Sequence, residues 1–224
     1  MQKKHYKLLI FDWDGTLMDT TAKIIACYQA TAIESQLPAI PADAIKPQIG
    51  LNLETAWRNI YTLLDIPITS ESIQQSYDLY RKHYLEIDQT PMPLFEGVKE
   101  GLSALNQAGY VLSVATGKSR LALDQALEIT QLGAQFVYTC CGDEAISKPH
   151  PQMIMKSLDY CGAEAKNALM IGDTHHDMKM ASNAGVDSLA VTHGVQTEQE
   201  LKAYDSLGCM NDFNQILRFL LEKP

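Results

Sequence analysis

The sequence predicts an α/β protein, a doubly wound parallel sheet into which an all-helical domain is inserted. Three observations carry that prediction. Five short apolar runs, at 7–11, 110–115, 136–139, 168–171 and 188–191, have the length and composition of buried strands. After Thr116 these runs alternate with helical patterns, as parallel strands joined by crossover helices must. From about residue 20 to 89 no strand pattern appears, and that stretch is too long for a single crossover.

The first strand, Lys7-Leu8-Leu9-Ile10-Phe11, runs directly into Asp12-Trp13-Asp14-Gly15-Thr16. Alternation places Asp12 and Asp14 on the same side of extended backbone, and Gly15 lets the chain turn sharply away from the sheet. Two acids facing one pocket can divide a task, one attacking as a nucleophile while the other gives and takes a proton. Asp and Gly also end strands simply because they make turns, so this motif carries weight only if other strand ends bear matching polar groups.

Helical candidates occupy 21–35, 52–64 and 70–87. The last carries Ile73, Tyr77, Tyr80, Tyr84 and Ile87 at three- and four-residue steps, a stripe that reads as the core of the insert rather than a cofactor site. Thr90-Pro91-Met92-Pro93 marks the return to the sheet, since prolines resist helix and favour an extended linker. The chain therefore divides into a discontinuous core, 1–18 and 92–224, and a helical insert, 19–91.

Three further polar signatures follow apolar segments. Thr116-Gly117-Lys118-Ser119 offers a hydroxyl and backbone N–H groups at a helix start, a ready anion site, with Ser119 equally suited to capping that helix. Lys148 stands in Ser147-Lys148-Pro149-His150-Pro151, on backbone stiffened by two prolines, and an ammonium there can bridge a carboxylate and a phosphate. Gly172-Asp173-Thr174-His175-His176-Asp177 follows the fourth run. In doubly wound sheets ligands collect at the carboxyl ends of the strands, where Asp12, Thr116 and Asp173 all fall.

Asp12 to Thr16 together with Asp173 supplies hard oxygen ligands, which suit Mg²⁺ better than zinc. An EF-hand calcium loop is excluded by Leu17 and Lys23 at the positions where it needs Gly and Glu. His175 and His176 are adjacent, with no cysteine pair nearby, and read as surface or supporting residues rather than zinc ligands.

Composition limits the partners. With 46% hydrophobic and 20% charged residues the chain is an ordinary globular sequence, not a disordered or fibrous one. A formal net charge of −9 argues against nucleic acid and anionic membrane as partners. The five cysteines, odd in number and without repeated spacing, read as free, mostly buried thiols, which fits the cytoplasm. The apolar stretch Leu8–Phe11 is too short for a signal-peptide core, and no run approaches the roughly 20 apolar residues of a membrane span.

Taken in order, Asp12-x-Asp14-Gly15-Thr16-x-x-Asp19, Thr116, Lys148 and Gly172-Asp173-x-x-x-Asp177 resemble the four motifs of haloacid dehalogenase superfamily phosphatases. The helical insert between the first two resembles the C1-capped branch, subfamily I, and within it the phosphoglycolate phosphatases, with Gly50-Leu51-Asn52 similar to a substrate-facing cap loop. The resemblance implies a Rossmann-like core and Mg²⁺-dependent hydrolysis of a small phosphorylated metabolite through an aspartyl phosphate, by a monomer or homodimer. It implies Asp12 as nucleophile and Asp14 as acid and base. Asp12, the Asp14 carbonyl and Asp173 would hold the metal, with Asp177 a further or supporting acid. Gly15, Gly50, Thr116, Gly117 and Lys148 would contact substrate. Lys46 and Arg58 could meet an anionic tail or be solvated helix charges.

Asp14 separates this pattern from dehalogenases and phosphonate hydrolases, which lack a carboxylate there. Sugar phosphomutases of this group share both acids but carry a cap histidine with no counterpart between Thr20 and Tyr28, which makes mutase activity the runner-up. A phosphoaspartate signalling domain, which also uses Asp, Thr, Lys and Mg²⁺ on a similar sheet, is the alternative of another class; Asp14, which would speed loss of the phosphoryl group, and the cap, which such a domain lacks, count against it. A cap that closes over substrate needs hinges, expected at 17–20 and 90–93.

Overall fold

In the computed structural model, which describes residues 6–222, Leu8–Phe11 (β1) is buried at every position, as a strand covered on both faces must be. The extremes of the expected core, 1–5 and 223–224, lie outside the described residues. The helical insert follows: Thr21–Glu34 (α1), Ala42–Ile45 (α2), Leu53–Leu63 (α3) and Ser70–Lys82 (α4). The chain then returns through Val98–Gln107 (α5), Val111–Ala115 (β2), Arg120–Thr130 (α6), Tyr138–Cys140 (β3) and Gln152–Cys161 (α7). Ala168–Gly172 (β4), His175–Ala184 (α8), Asp187–Val191 (β5), Glu198–Leu201 (α9), Cys209–Met210 (β6) and Phe213–Leu221 (α10) complete it.

The sheet is parallel throughout, in the order β3-β2-β1-β4-β5-β6. Leu8–Phe11 pairs with Val111 to Val114 on one side and Ala168 to Ile171 on the other. The order therefore reverses at β1, and the crevice beyond its carboxyl end is the natural ligand position. Alternation divides the core between the two faces. Leu9 and Phe11 pack with Leu102, Leu123 and Phe213, while Leu8 and Ile10 pack with Met153, Ile154 and Met180.

Three local differences from the sequence expectation have physical causes. The third strand lies at Tyr138–Cys140 rather than 136–139, because a 3₁₀ turn over Gly133–Gln135 delays entry into the ladder. The last helix of the insert keeps α geometry only to Lys82. It finishes in a π turn over His83–Ile87, closed by Asp88 N–H donating to the His83 carbonyl at 2.9 Å. The two-residue β6 and the short α2 have no periodic pattern long enough to register in sequence.

The insert has its own core, in which Tyr28 meets Trp57 at a ring distance of 4.8 Å and Tyr80 at 4.7 Å. Its two connections to the sheet run side by side. Asp19 N–H donates to the Pro93 carbonyl at 2.9 Å, Phe95 N–H donates to the Leu17 carbonyl at 3.1 Å, and Met18 faces Leu94 in an antiparallel bridge. All five cysteines are free thiols. Among the described residues no helix is long and apolar enough to cross a membrane.

Candidate active site

Where β1 ends, Asp12 N–H donates to the Ile171 carbonyl of β4 at 2.9 Å, which carries the strand geometry one residue further and fixes the Asp12 side chain at the crevice. Asp12 Oδ1 accepts from Trp13 N–H at 2.7 Å and pairs with Lys148 Nζ at 2.8 Å. The same ammonium donates to Asp177 Oδ1 at 2.7 Å. Asp177 Oδ2 in turn accepts from the Thr174 hydroxyl at 2.7 Å and its N–H at 3.1 Å, capping the first turn of α8. Asp173 Oδ1 accepts from the Thr16 hydroxyl at 2.9 Å, and Oδ2 from Val195 N–H at 2.8 Å. Gly15, at φ +80°, must be glycine twice over, since a Cβ there would lie 2.2 Å from Asp173 Oδ2.

These groups share one buried field. Burial raises Asp12 well above the ordinary carboxylate range. Lys148 opposes that rise, and the Asp177 and Asp173 charges reinforce it. Asp173 is pushed up to about 7, by burial first and by Asp177 second. Burial alone would lower the Lys148 ammonium, but Asp12 and Asp177 raise it, so it stays charged. One cation thus faces three acids, whose oxygens lie within 4.8 Å of one another. Asp12 Oδ2 is buried and has no hydrogen-bond partner. Hard oxygen donors, an excess of negative charge and an orphaned carboxylate oxygen fit a divalent cation such as Mg²⁺.

Asp14 occupies a different environment. Its Oδ1 accepts from the Thr20 hydroxyl at 2.7 Å and pairs with Lys118 Nζ at 2.9 Å, leaving Oδ2 without a partner among the described residues. Lys118 also donates to the Tyr84 hydroxyl at 2.7 Å, so a cap residue touches the pair. Burial would lower the Lys118 ammonium, but Asp14 and Tyr84 raise it. Asp14 and Lys118 line a narrow cavity of about 70 Å³ between core and cap.

Thr116 is buried, and its Oγ1 accepts from Lys118 N–H at 3.2 Å. Ser119 caps α6. Gly117 is pressed against the cap, where an added Cβ would meet the Leu51 carbonyl oxygen at 2.3 Å. Gly50 sits above the nucleophile candidate, with its ideal Cβ position 3.9 Å from Asp12 Oδ2. Asn52 fastens this cap loop, its N–H donating to Ser147 Oγ at 2.9 Å and its amide to the Gly142 carbonyl at 3.2 Å.

The structure thus gathers Asp12, Gly15, Lys148, Asp173 and Asp177 on one side, with Asp14, Gly50 and Gly117 lining the cavity and Thr116 buried next to Gly117. Lys46 and Arg58 lie apart, in exposed ion pairs with Asp43 and Glu54, and neither lines the cavity beside Asp14. The His175 and His176 rings lie 3.9 Å apart, tilted by 41°, and His176 Nε2 bonds the Pro47 carbonyl of the cap at 2.9 Å, outside the acid cluster. Sequence reasoning missed Lys118, although it lies inside a motif singled out for its hydroxyl and N–H groups. It also missed that Tyr80 and Tyr84, stripe residues of the insert's core, line the cavity as well.

Residues 9–191 match the family model described as haloacid dehalogenase-like hydrolase. A Dickeya dadantii protein named probable phosphatase IndB is 35% identical over 94% of this chain and 91% of its own length. A phosphoglycolate phosphatase of Agrobacterium fabrum is 29% identical over 96% of this chain and 93% of its own. The crystal structure of a hydrolase from Pseudomonas syringae superposes with a TM-score of 0.87 at 21% identity, covering 95% of this chain and 96% of that one, a likeness of fold.

Proposed function

Because the chain belongs to the haloacid dehalogenase-like hydrolase family, we propose that it is a Mg²⁺-dependent phosphatase that cleaves a small phosphate monoester through a phosphorylated Asp12. The observation that carries this reading is the contrast between its two acids. Asp12 offers one buried, unpartnered oxygen inside a cation-poor acid cluster, while Asp14 is held at Oδ1 by Lys118 and Thr20 with Oδ2 left for the cavity. The names of relatives, phosphatase and phosphoglycolate phosphatase, support the same reaction class.

Asp12 attacks the phosphorus, forming an Asp–O–P bond as the ester P–O bond breaks, and the departing alkoxide takes a proton from Asp14. Asp14 then accepts a proton from water as the water oxygen attacks the same phosphorus, releasing inorganic phosphate and restoring the Asp12 carboxylate. Asp12, Asp173 and Asp177, with the Asp14 carbonyl, are the groups that would hold Mg²⁺. When bound, the ion supplies positive charge against the phosphoryl oxygens. Lys148 orients Asp12 at Oδ1 and adds a second positive charge, and Thr116 offers its hydroxyl. Asp12 is fully buried beneath Gly50, so substrate enters when the cap swings away on the paired linkers.

The test is phosphate release from a panel of small esters including phosphoglycolate, with and without Mg²⁺, for wild type beside Asp12→Asn. Mg²⁺-dependent turnover that the substitution abolishes is expected. No release from any ester, with a long-lived phosphoenzyme, would overturn hydrolysis in favour of transfer or signalling.

A further inference from the structure

Resting on that reading, we infer that Arg81 selects the substrate by pairing with a negatively charged group on the leaving alcohol. Asp14 protonates the leaving oxygen, so the leaving group must occupy the cavity that Asp14 lines. Most of that wall is carbon, from Ile24, Tyr28, Ile49, Tyr80, Leu85 and Ala122. Two cations also line it. Lys118 is already engaged by Asp14 and Tyr84. Arg81 has no ion pair or hydrogen bond among the described residues, and its Nε is buried without a partner, while its guanidinium rests 5.8 Å from the Tyr77 ring.

A buried, unpartnered N–H on a permanently charged planar group is a receptor for an oxyanion, and a carboxylate matches the guanidinium fork in both charge and shape. A neutral alcohol would leave Arg81 unsatisfied, whereas an inorganic phosphate leaving group would press oxygen against the apolar wall. The chemistry that fits both features is the phosphate monoester of a hydroxy acid, and a cavity of about 70 Å³ makes that acid a short one. The surface cations Lys46 and Arg58 play no part, being paired elsewhere.

Matched esters that differ only in the carboxylate test this: phosphoglycolate against ethyl phosphate, and 3-phosphooxypropanoate against propyl phosphate. Wild type should favour the acid member of at least one pair by about tenfold or more in kcat/KM, the scale of one charge-assisted hydrogen bond. In Arg81→Gln that ratio should fall to near one, chiefly through KM, and Arg81→Lys should lie between. The ratio is internal to each preparation, so a partly folded sample does not distort it. Equal turnover of both members in wild type, or an unchanged ratio in Arg81→Gln, overturns the inference while leaving the phosphatase reading intact. If no ester, charged or neutral, is turned over, the phosphatase reading falls first.

Discussion

On the sheet side of the cleft, Asp12, Lys148, Asp173 and Asp177 are all buried, and each is tied to another of the four or to a neighbouring N–H or hydroxyl. On the cap side, Arg81 and Tyr84 stand on a helical segment whose other duty is packing, with Tyr84 stacked on Tyr80 at 5.8 Å and Tyr80 tilted against Tyr28 at 4.7 Å. The first region gathers segments that follow strands of the sheet, with Asp177 in the first turn of α8. The second is one face of a helix in a domain joined to the sheet by two linkers. Groups that every ester needs sit on the sheet side, and the groups proposed to distinguish esters sit on the cap. The comparison therefore makes a kinetic claim: core substitutions should affect all esters alike, and substitutions on the cap wall should affect them unequally.

The largest effect is expected from Asp12→Asn, which removes the proposed nucleophile but keeps the side chain's size. Turnover should fall on the order of 10⁴-fold or more, by the same factor for every ester, with the thermal transition retained. A fall confined to some substrates would break the comparison at its strongest point. Next comes Lys148→Met. It leaves three buried acids without their cation, and breaking a buried ion pair typically costs about 3–5 kcal/mol. Urea unfolding without metal should show that loss, and saturating Mg²⁺ should recover part of it, because a cation that binds only the folded state stabilises it. A variant as stable as wild type without Mg²⁺ would mean that mutual repulsion among Asp12, Asp173 and Asp177 does not strain the folded protein.

Legibility in the sequence divides along the same line. Five of the six strands, the helical stretch before β2 and the acids Asp12, Asp173 and Asp177 could be read, because strand-end motifs are local: Asp12 and Asp173 each follow their strand directly, and chain order delivers them to one crevice. Lys118 was visible but assigned no role, since the partner that gives it one, Asp14, lies 104 positions earlier in the sequence. Neither Arg81 nor Tyr84 carried any signal of a role at the site. Their spacing is that of an amphipathic helix, and Tyr80 and Tyr84 satisfy that pattern as core while also facing the cavity. Conversely, Lys46 and Arg58 looked suited to an anion because they are basic residues of the insert, yet i,i+3 and i,i+4 acids pair with them on their own helical surfaces.

Lys118→Met sharpens the comparison because this lysine belongs to the core but contacts the cap. It removes the cation beside Asp14 without touching the Asp12 cluster, so a fall of about 10²-fold in kcat is expected, the lower end of what general acid–base catalysis contributes. Both members of each matched ester pair should lose the same factor. Single-turnover experiments should place the loss in proton transfer, in formation of the phosphoenzyme, its breakdown, or both. A change confined to KM would instead make Lys118 a substrate contact and move it to the selecting side.

The smallest expected effect is the most discriminating. Tyr84→Phe deletes a hydroxyl from the cap but keeps the ring that stacks on Tyr80, so ring packing is preserved while the 2.7 Å bond from Lys118 and the weaker 3.1 Å bond to Met92 Sδ are lost. One hydrogen bond is worth about 0.5–1.5 kcal/mol, which corresponds to a roughly two- to tenfold change in rate. Tyr84 sits on the cap, yet its hydroxyl reaches Asp14 through Lys118. The loss should therefore appear in kcat and be equal for charged and neutral esters, unlike the unequal loss expected in Arg81→Gln one helical turn away. An equal loss would show that closing the cap completes the acid–base pair, so that the line between chemistry and selection passes through a single turn of helix. An unequal loss would put Tyr84 with Arg81 on the selecting wall and leave Asp14 dependent on core residues alone.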